Sequence, residues 1–311
     1  MLLTFGLLIA GLTLLTAGAE FFVRGSSSLA ARLGVRPLVI GLTVAAFGTS
    51  APELFVSVKS ALAGYPGITV GNVIGSNIAN VALILGISAL ITPLSVHLKV
   101  IRRDTPFMLL ISAIACVMLW NRSIARMEAV VLLLLFICYL TVTAVLSFHE
   151  RTAEAKSGQD LTRHGKIPLL LLYIAGGLIA LLYGANLAVD TGAKIARFFG
   201  VNETVIGISI VAVGTSLPEL AASVMAALKK EADIAIGNIV GSNVFNIGLV
   251  LGTAGAICPF SVPDLRAIDI GIMLFLSALL FPFLRTGFTL NRIEGAILLL
   301  TYAAYMVFLW A

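Results

Sequence analysis

Runs of about 20 apolar residues recur along the whole chain, and the charged residues gather in the short stretches between them. That is the length at which a helix crosses the hydrocarbon core of a bilayer. Ten spans are predicted, near 2–23, 37–62, 69–91, 105–120, 127–148, 167–189, 204–228, 234–257, 267–284 and 292–310. The longest polar stretch, Glu150 to Lys166, mixes charges of both signs around Ser157-Gly158 and reads as a solvated linker. It separates one five-span half, residues 1–149, from a second, residues 167–311, with 150–166 between them.

The polar residues inside the apolar runs come in duplicate. Gly48-Thr49-Ser50-Ala51-Pro52-Glu53-Leu54 recurs as Gly214-Thr215-Ser216-Leu217-Pro218-Glu219-Leu220. Gly71-Asn72-Val73-Ile74-Gly75-Ser76-Asn77-Ile78-Ala79-Asn80 recurs as Gly237-Asn238-Ile239-Val240-Gly241-Ser242-Asn243-Val244-Phe245-Asn246. Both pairs share one offset, 166 residues, without a gap. A carboxylate within a membrane span is costly and marks a functional site by default. Glu53 and Glu219 are two such carboxylates in the same setting.

Five spans per half is an odd number, so the two halves enter the membrane from opposite faces. That is the inverted-repeat plan of many secondary transporters. The connections after spans one, three, five, seven and nine carry fourteen of the 20 Lys and Arg, from Arg24 to Arg292, and the opposite face carries six. The positive-inside bias then places the linker in the cytoplasm and both termini outside, in a multi-pass protein of the cell's inner membrane. Ala17-Gly18-Ala19 resembles a leader cleavage site, but no basic segment precedes it and Gly18-Ala19 aligns with Gly184-Ala185. Residues 1–22 therefore read as a mature first span.

Composition supports this class. The chain of 311 residues is 59% hydrophobic and 11% charged, with a mean hydropathy of +1.08. Its partners are membrane lipid and small ions. The net charge of +5 belongs to the connecting loops and signals no nucleic acid. Cys116, Cys138 and Cys258 are too far apart for a metal or disulfide framework. The histidines, His97, His149 and His164, lie in connections or span ends. A hydrolase within the spans would need a base for Ser76 or Ser242, and only the two glutamates could serve. The chain reads as a transporter and not an enzyme.

The motifs supply oxygen. Pro52 lacks an N–H and crowds the carbonyl of Gly48, so span two is predicted to break within the membrane. Broken backbone at that depth is tolerated where it is buried in protein or lines a polar cavity. Freed carbonyls, Thr49, Ser50 and Glu53 are then ligands on one side, with Thr49 and Glu53 spaced to share a helix face. Thr215, Ser216 and Glu219 are their equals in span seven. Asn72, Ser76 and Asn80, and likewise Asn238, Ser242 and Asn246, make polar stripes in spans three and eight. Gly71, Gly75, Gly237 and Gly241 would let another helix approach. An all-oxygen site with two carboxylates suits Ca²⁺ or Na⁺ and not zinc or copper. Packing alone is the competing reading for the Ser and Gly positions, and interhelical hydrogen bonding for the two asparagines. Neither explains both glutamates: Lys59, the nearby cation, is off the face of Glu53 and its counterpart is Met225. Glu20, whose counterpart is Asn186, reads as an interfacial or vestibule charge.

The duplicated Gly-Thr-Ser-x-Pro-Glu and Gly-Asn-x-x-Gly-Ser-Asn closely resemble the alpha repeats of the cation/calcium exchanger superfamily, in particular its prokaryotic sodium/calcium exchangers. The resemblance covers essentially the whole chain. It implies an all-α polytopic membrane protein of ten transmembrane helices in two inverted-topology repeats of five. It implies a core of spans two to five and seven to ten, with spans one and six as a loosely packed pair. The ligands it implies are the carbonyls of Ala46 and Ala212 with Thr49, Ser50, Glu53, Ser76, Asn80, Thr215, Ser216, Glu219, Ser242 and Asn246. Asn246 is a departure, since several sodium/calcium exchangers carry Asp there. The proton/calcium branch usually carries Glu in the motifs where this chain has Asn80 and Asn246.

The expected function is antiport of Ca²⁺ against Na⁺ by alternating access, in a functional monomer without a cofactor. The alternatives are a proton-coupled antiporter of Ca²⁺ or another divalent cation, and a cation channel. Inverted repeats within one chain speak against the channel.

Overall fold

The computed structural model describes residues 2–156, 166–200 and 214–310. Helix α1 is Leu2–Leu33. Span two is a bent pair, α2 (Pro37–Thr49) and α3 (Ala51–Leu62). Then follow α4 (Pro66–Ile91), α5 (Val100–Asn121) and α6 (Arg126–Lys156). The second half holds α7 (Ile167–Phe198), α8 (Leu217–Leu228), α9 (Ala232–Ile257), α10 (Ala267–Arg285) and α11 (Arg292–Trp310). Among the described residues, eight helices are long and apolar enough to cross a membrane, or nine with the bent pair counted as one span. The first part of the predicted seventh span, 204–213, lies outside the described residues.

Several boundaries differ from the hydropathy pattern. Helices α1 and α7 run past the predicted ends at 23 and 189, because Ala30 and Ala193 remain buried beyond the apolar runs. The chain after span five does not become linker at Glu150, since α6 continues to Lys156. The fold is also not purely helical. Strands β1 (Leu94–Ser95) and β4 (Thr289–Leu290) pair antiparallel, as do β2 (Ser123–Ile124) and β3 (Phe260–Ser261). Two residues are too short to show a strand period in sequence.

These ribbons orient the halves. The offset of 166 carries β1 onto β3 and β2 onto β4, and each ribbon joins one strand from each half. Helix α5 leaves β1 and reaches β2, whereas α10 leaves β3 and reaches β4. The equivalent helices α5 and α10 therefore run in opposite directions between the same two ribbons.

Packing divides centre from periphery. The most apolar stretch of α9 is 94% buried and that of α4 is 72% buried, while those of α1 and α10 reach 33%. The two helices with polar stripes lie at the centre of the packing, and α1 and α10 are largely peripheral. Helices α1 and α7 cross with their backbones in contact. A Cβ at Gly18 would stand 2.8 Å from the Gly177 carbonyl oxygen, and one at Gly177 would stand 2.8 Å from that of Gly18. Such a crossing admits glycine and little else.

Candidate cation-binding site

The break predicted in span two is present. The axes of α2 and α3 differ by 43°, and Ser50 sits at the joint with φ −84° and ψ 5°. Pro52 falls in the first turn of α3, where a helical N–H has no partner in any case. Glu53 follows in the same turn, at the positive end of a half-helix. The second half repeats the device: Ser216 has φ −90° and ψ 5°, and Pro218 and Glu219 open α8. Glu53 is 0% exposed and Glu219 1%.

The two halves meet through these residues. The Thr49 hydroxyl has two acceptors within hydrogen-bond reach for its one proton, Asn238 Oδ1 at 3.2 Å and the Ala45 carbonyl at 3.0 Å. The Ser50 hydroxyl donates to Glu219 Oε1 at 3.3 Å. Asn80 Nδ2 donates to Asn243 Oδ1 at 3.0 Å. Behind them lies a matched supporting layer. Asn72 Nδ2 donates to Ser57 Oγ at 2.9 Å and to the Glu53 carbonyl at 3.2 Å. Asn238 Nδ2 donates to Ser223 Oγ at 3.0 Å. Each stripe thus anchors one end of its asparagine set to the half-helix of its own repeat.

Several buried atoms at this centre have no hydrogen-bond partner among the described residues. They are both carboxylate oxygens of Glu53, Oε2 of Glu219, the hydroxyls of Ser216 and Ser242, Oδ1 of Asn80 and both side-chain polar atoms of Asn246. Buried polar groups are normally paired. The charges of Glu53 and Glu219 act on each other, and among the described residues no Lys or Arg bridges either one. Two buried carboxylates among neutral oxygens are the kind of donors that a hard cation takes.

Most of the residues singled out by sequence converge here, with exceptions. Ala46 is fully buried, and its carbonyl accepts from the Ser50 backbone N–H at 3.0 Å. Thr215 is half-buried and lines a cavity beside Ser76. Ala212 lies outside the described residues. Gly237 and Gly241 do admit a close helix: a Cβ at Gly241 would meet Ala46 Cβ at 2.8 Å. The same role expected of Gly71 and Gly75 finds no described residue within 4 Å of either position. Their counterparts pack on Leu38 to Ala46, whose own repeat equivalents, 204–212, lie outside the described residues. Thr49 and Glu53 do not share one continuous helix face, because the bend at Ser50 intervenes. Glu20, read as an interfacial or vestibule charge, is 41% exposed and pairs with Arg24 at 2.7 Å and Lys229 at 3.2 Å.

Sequence reasoning missed three features. Ser57 and Ser223 lie one turn after each glutamate at the shared offset, a signal that was present and unread. Asn243, the partner of Asn80, is defined only by tertiary contact. The third is backbone: α2, α4 and α9 each contain a π-helical stretch, at Gly41–Ala45, Ala79–Ile84 and Asn246–Leu251. Asn80 and Asn246 sit in two of these, and such turns often mark functional positions.

A bundle of long apolar helices around the half-helices α3 and α8, with a buried carboxylate at the start of each, is the architecture of a polytopic membrane transporter. The sodium/calcium exchanger protein family matches residues 3–145 and again 169–311, two matches displaced by the same 166 residues. The chain belongs to that family, whose members are antiporters. The inner membrane protein YrbG of Escherichia coli is 38% identical, over 89% of this chain and 87% of its own. The sodium/calcium exchanger MaX1 of Methanosarcina acetivorans is 34% identical over 98% of each chain. The solved sodium-calcium exchanger NCX_Mj, soaked with 10 mM Na⁺ and 10 mM Sr²⁺, superposes with a TM-score of 0.86 at 33% identity, covering 98% of each chain.

Proposed function

We propose that the protein exchanges Ca²⁺ for Na⁺ across the inner membrane by alternating access. It would act as a monomer of ten spans in two inverted repeats, with both termini outside and residues 150–166 in the cytoplasm. The observation that carries this reading is the buried pair Glu53 and Glu219: both carboxylate oxygens of Glu53 and Oε2 of Glu219 have no donor or cation among the described residues. The antiparallel run of α5 and α10 supports the inverted repeats.

In this reading Glu53 and Glu219 hold a central Ca²⁺, whose charge the two carboxylates balance. Ca²⁺ takes six to eight oxygens. The hydroxyls of Thr49, Ser50, Thr215, Ser216, Ser76 and Ser242, the amide oxygens of Asn80 and Asn246, and the carbonyls of Ala46 and Ala212 complete that shell and the flanking Na⁺ sites. Because both ions need the same carboxylates, they exclude one another. An empty site leaves two like charges facing each other in a medium of low dielectric, which is strongly unfavourable. The empty protein is therefore held back from switching faces, and transport in one direction requires return transport in the other. That is the physical basis of exchange without leak.

The test is calcium uptake into vesicles loaded with Na⁺. Uptake should follow the Na⁺ gradient and vanish in Glu53→Gln and Glu219→Gln. Uptake driven by a proton gradient and indifferent to Na⁺ would instead assign the proton-coupled reading.

A further inference from the structure

We propose that Asp269 is a capture residue that receives hydrated cations at the mouth of the passage to the central site. This rests on the ion site proposed at Glu53 and Glu219. A cavity of about 530 Å³ is lined by Asn72, Ser76 and Thr215 together with Asp269, Tyr302 and Tyr305. Asp269 is the one carboxylate among the described residues of its lining. A water occupies about 30 Å³ of liquid, so the space admits a divalent ion with its hydration shell.

The carboxylate is placed for this role and not locked into a structural pair. The Tyr305 hydroxyl donates to Oδ1 at 3.0 Å and fixes the group's position. Arg266 Nε lies 3.3 Å from Oδ2, and the Arg266 side chain is 48% exposed, so that contact is weak and readily displaced. Asp269 itself retains 16% exposure. A cation can take the place of the guanidinium while the tyrosine keeps the carboxylate aimed.

The other half supplies the contrast. Tyr139, the repeat counterpart of Tyr305, donates to Asp104 Oδ1 at 3.4 Å, and Arg103 Nε holds the same oxygen at 2.8 Å. This trio sits at the start of α5, beside the other ribbon, and there the acid is fully buried. The equivalent of the cavity, along Gly237 and Gly241, is filled by Leu38, Leu42 and Ala46 of α2. The two trios are not repeat copies, since the offset of 166 carries Arg103 onto Asp269 and Asp104 onto Ile270; what distinguishes them is that Asp104 is fully buried whereas Asp269 keeps 16% exposure. A single carboxylate in a low-dielectric passage concentrates cations and speeds their arrival, more strongly for Ca²⁺ than for Na⁺ and less at high ionic strength.

The experiment is initial-rate calcium uptake by the full chain in vesicles of fixed orientation, with Ca²⁺ offered from the face of the β2·β3 ribbon. Asp269→Asn should raise KM roughly three- to tenfold at low salt, with less effect on the maximal rate, and the difference should shrink as salt is added. Arg266→Gln should move KM the opposite way. An unchanged KM in both variants, or a KM change in Asp269→Asn that salt leaves intact, overturns the capture role. If Asp269→Asn does not fold, Arg266→Gln decides: a KM at or above that of the native protein overturns it. Glu53→Gln run alongside separates the two claims. Normal transport there would defeat the ion site itself, whereas inactive Glu53→Gln with an unchanged Asp269→Asn defeats only the capture role.

Discussion

The Ser50 hydroxyl of the first half donates to Glu219 Oε1 of the second at 3.3 Å. A residue at the break of one half-helix thus holds the carboxylate at the start of the other, so neither half owns a complete site. Ser50→Ala should leave Glu219 charged and less well placed. A hydrogen bond to a charged group is worth at least about 1.5 kcal/mol net, so KM for Ca²⁺ should rise about tenfold or more in uptake kinetics, with the protein still folded.

Removing a carboxylate should cost function and not stability. Both oxygens of Glu53 are buried without a protein partner, and neutralising an unpaired buried charge relieves a desolvation penalty. Glu53→Gln should therefore unfold at the same or a higher temperature than the native protein in chelator. It should lose the rise in Tm that Ca²⁺ gives the native protein, a linkage effect of about 2.7 kcal/mol at a hundredfold excess over Kd. Thermal unfolding in detergent, with and without Ca²⁺, reads both quantities.

Asn246 makes the opposite case. Its amide oxygen and nitrogen are both buried and unpaired, in a π-helical turn of the most buried helix. Asn246→Asp adds a third negative charge beside the other two. Without cations the variant should be less stable than the native protein, since like charges would be buried together. With Ca²⁺ its Tm should rise further than the native protein's does. The same unfolding assay checks it, and equal ion-induced shifts in the two proteins would count against Asn246 as part of the site.

The crossing of α1 and α7 gives a purely structural prediction. A Cβ at Gly177 would stand 2.6 Å from the Phe22 backbone nitrogen, and backbone cannot give way cheaply. Gly177→Ala should destabilise by about 1–3 kcal/mol. Its neighbour Gly176 has no described residue within 4 Å of its Cβ position, so Gly176→Ala is the control and should change stability little. Chemical or thermal unfolding of the two variants side by side measures the difference.

What could be read from sequence was what depends on local chemistry or repetition. The break at Ser50 follows from Gly48 and Pro52, two residues whose backbone preferences act without tertiary help. Glu53 and Glu219 stood out because they occupy the same setting, one in each half, at the shared offset. The π-helical turns at Asn80 and Asn246 have no such signature, since a slip in helical register arises from packing around it. The pairing of Asn80 with Asn243 needs two helices to be brought together first. The strand ribbons at Leu94 and Ile124 are shorter than one period of any pattern. The pairing of Glu20 with Lys229 was not legible, because the two lie 209 residues apart.

The central claim is that Glu53 and Glu219 form one site at which Ca²⁺ and Na⁺ replace each other. Calcium uptake into Na⁺-loaded vesicles tests it most directly, with the native protein, Glu53→Gln and Glu219→Gln compared under the same gradient. The native protein should accumulate calcium in proportion to the outward Na⁺ gradient, and each glutamine variant should show none. Uptake by the native protein that ignores Na⁺, or near-normal uptake by both variants, would contradict it.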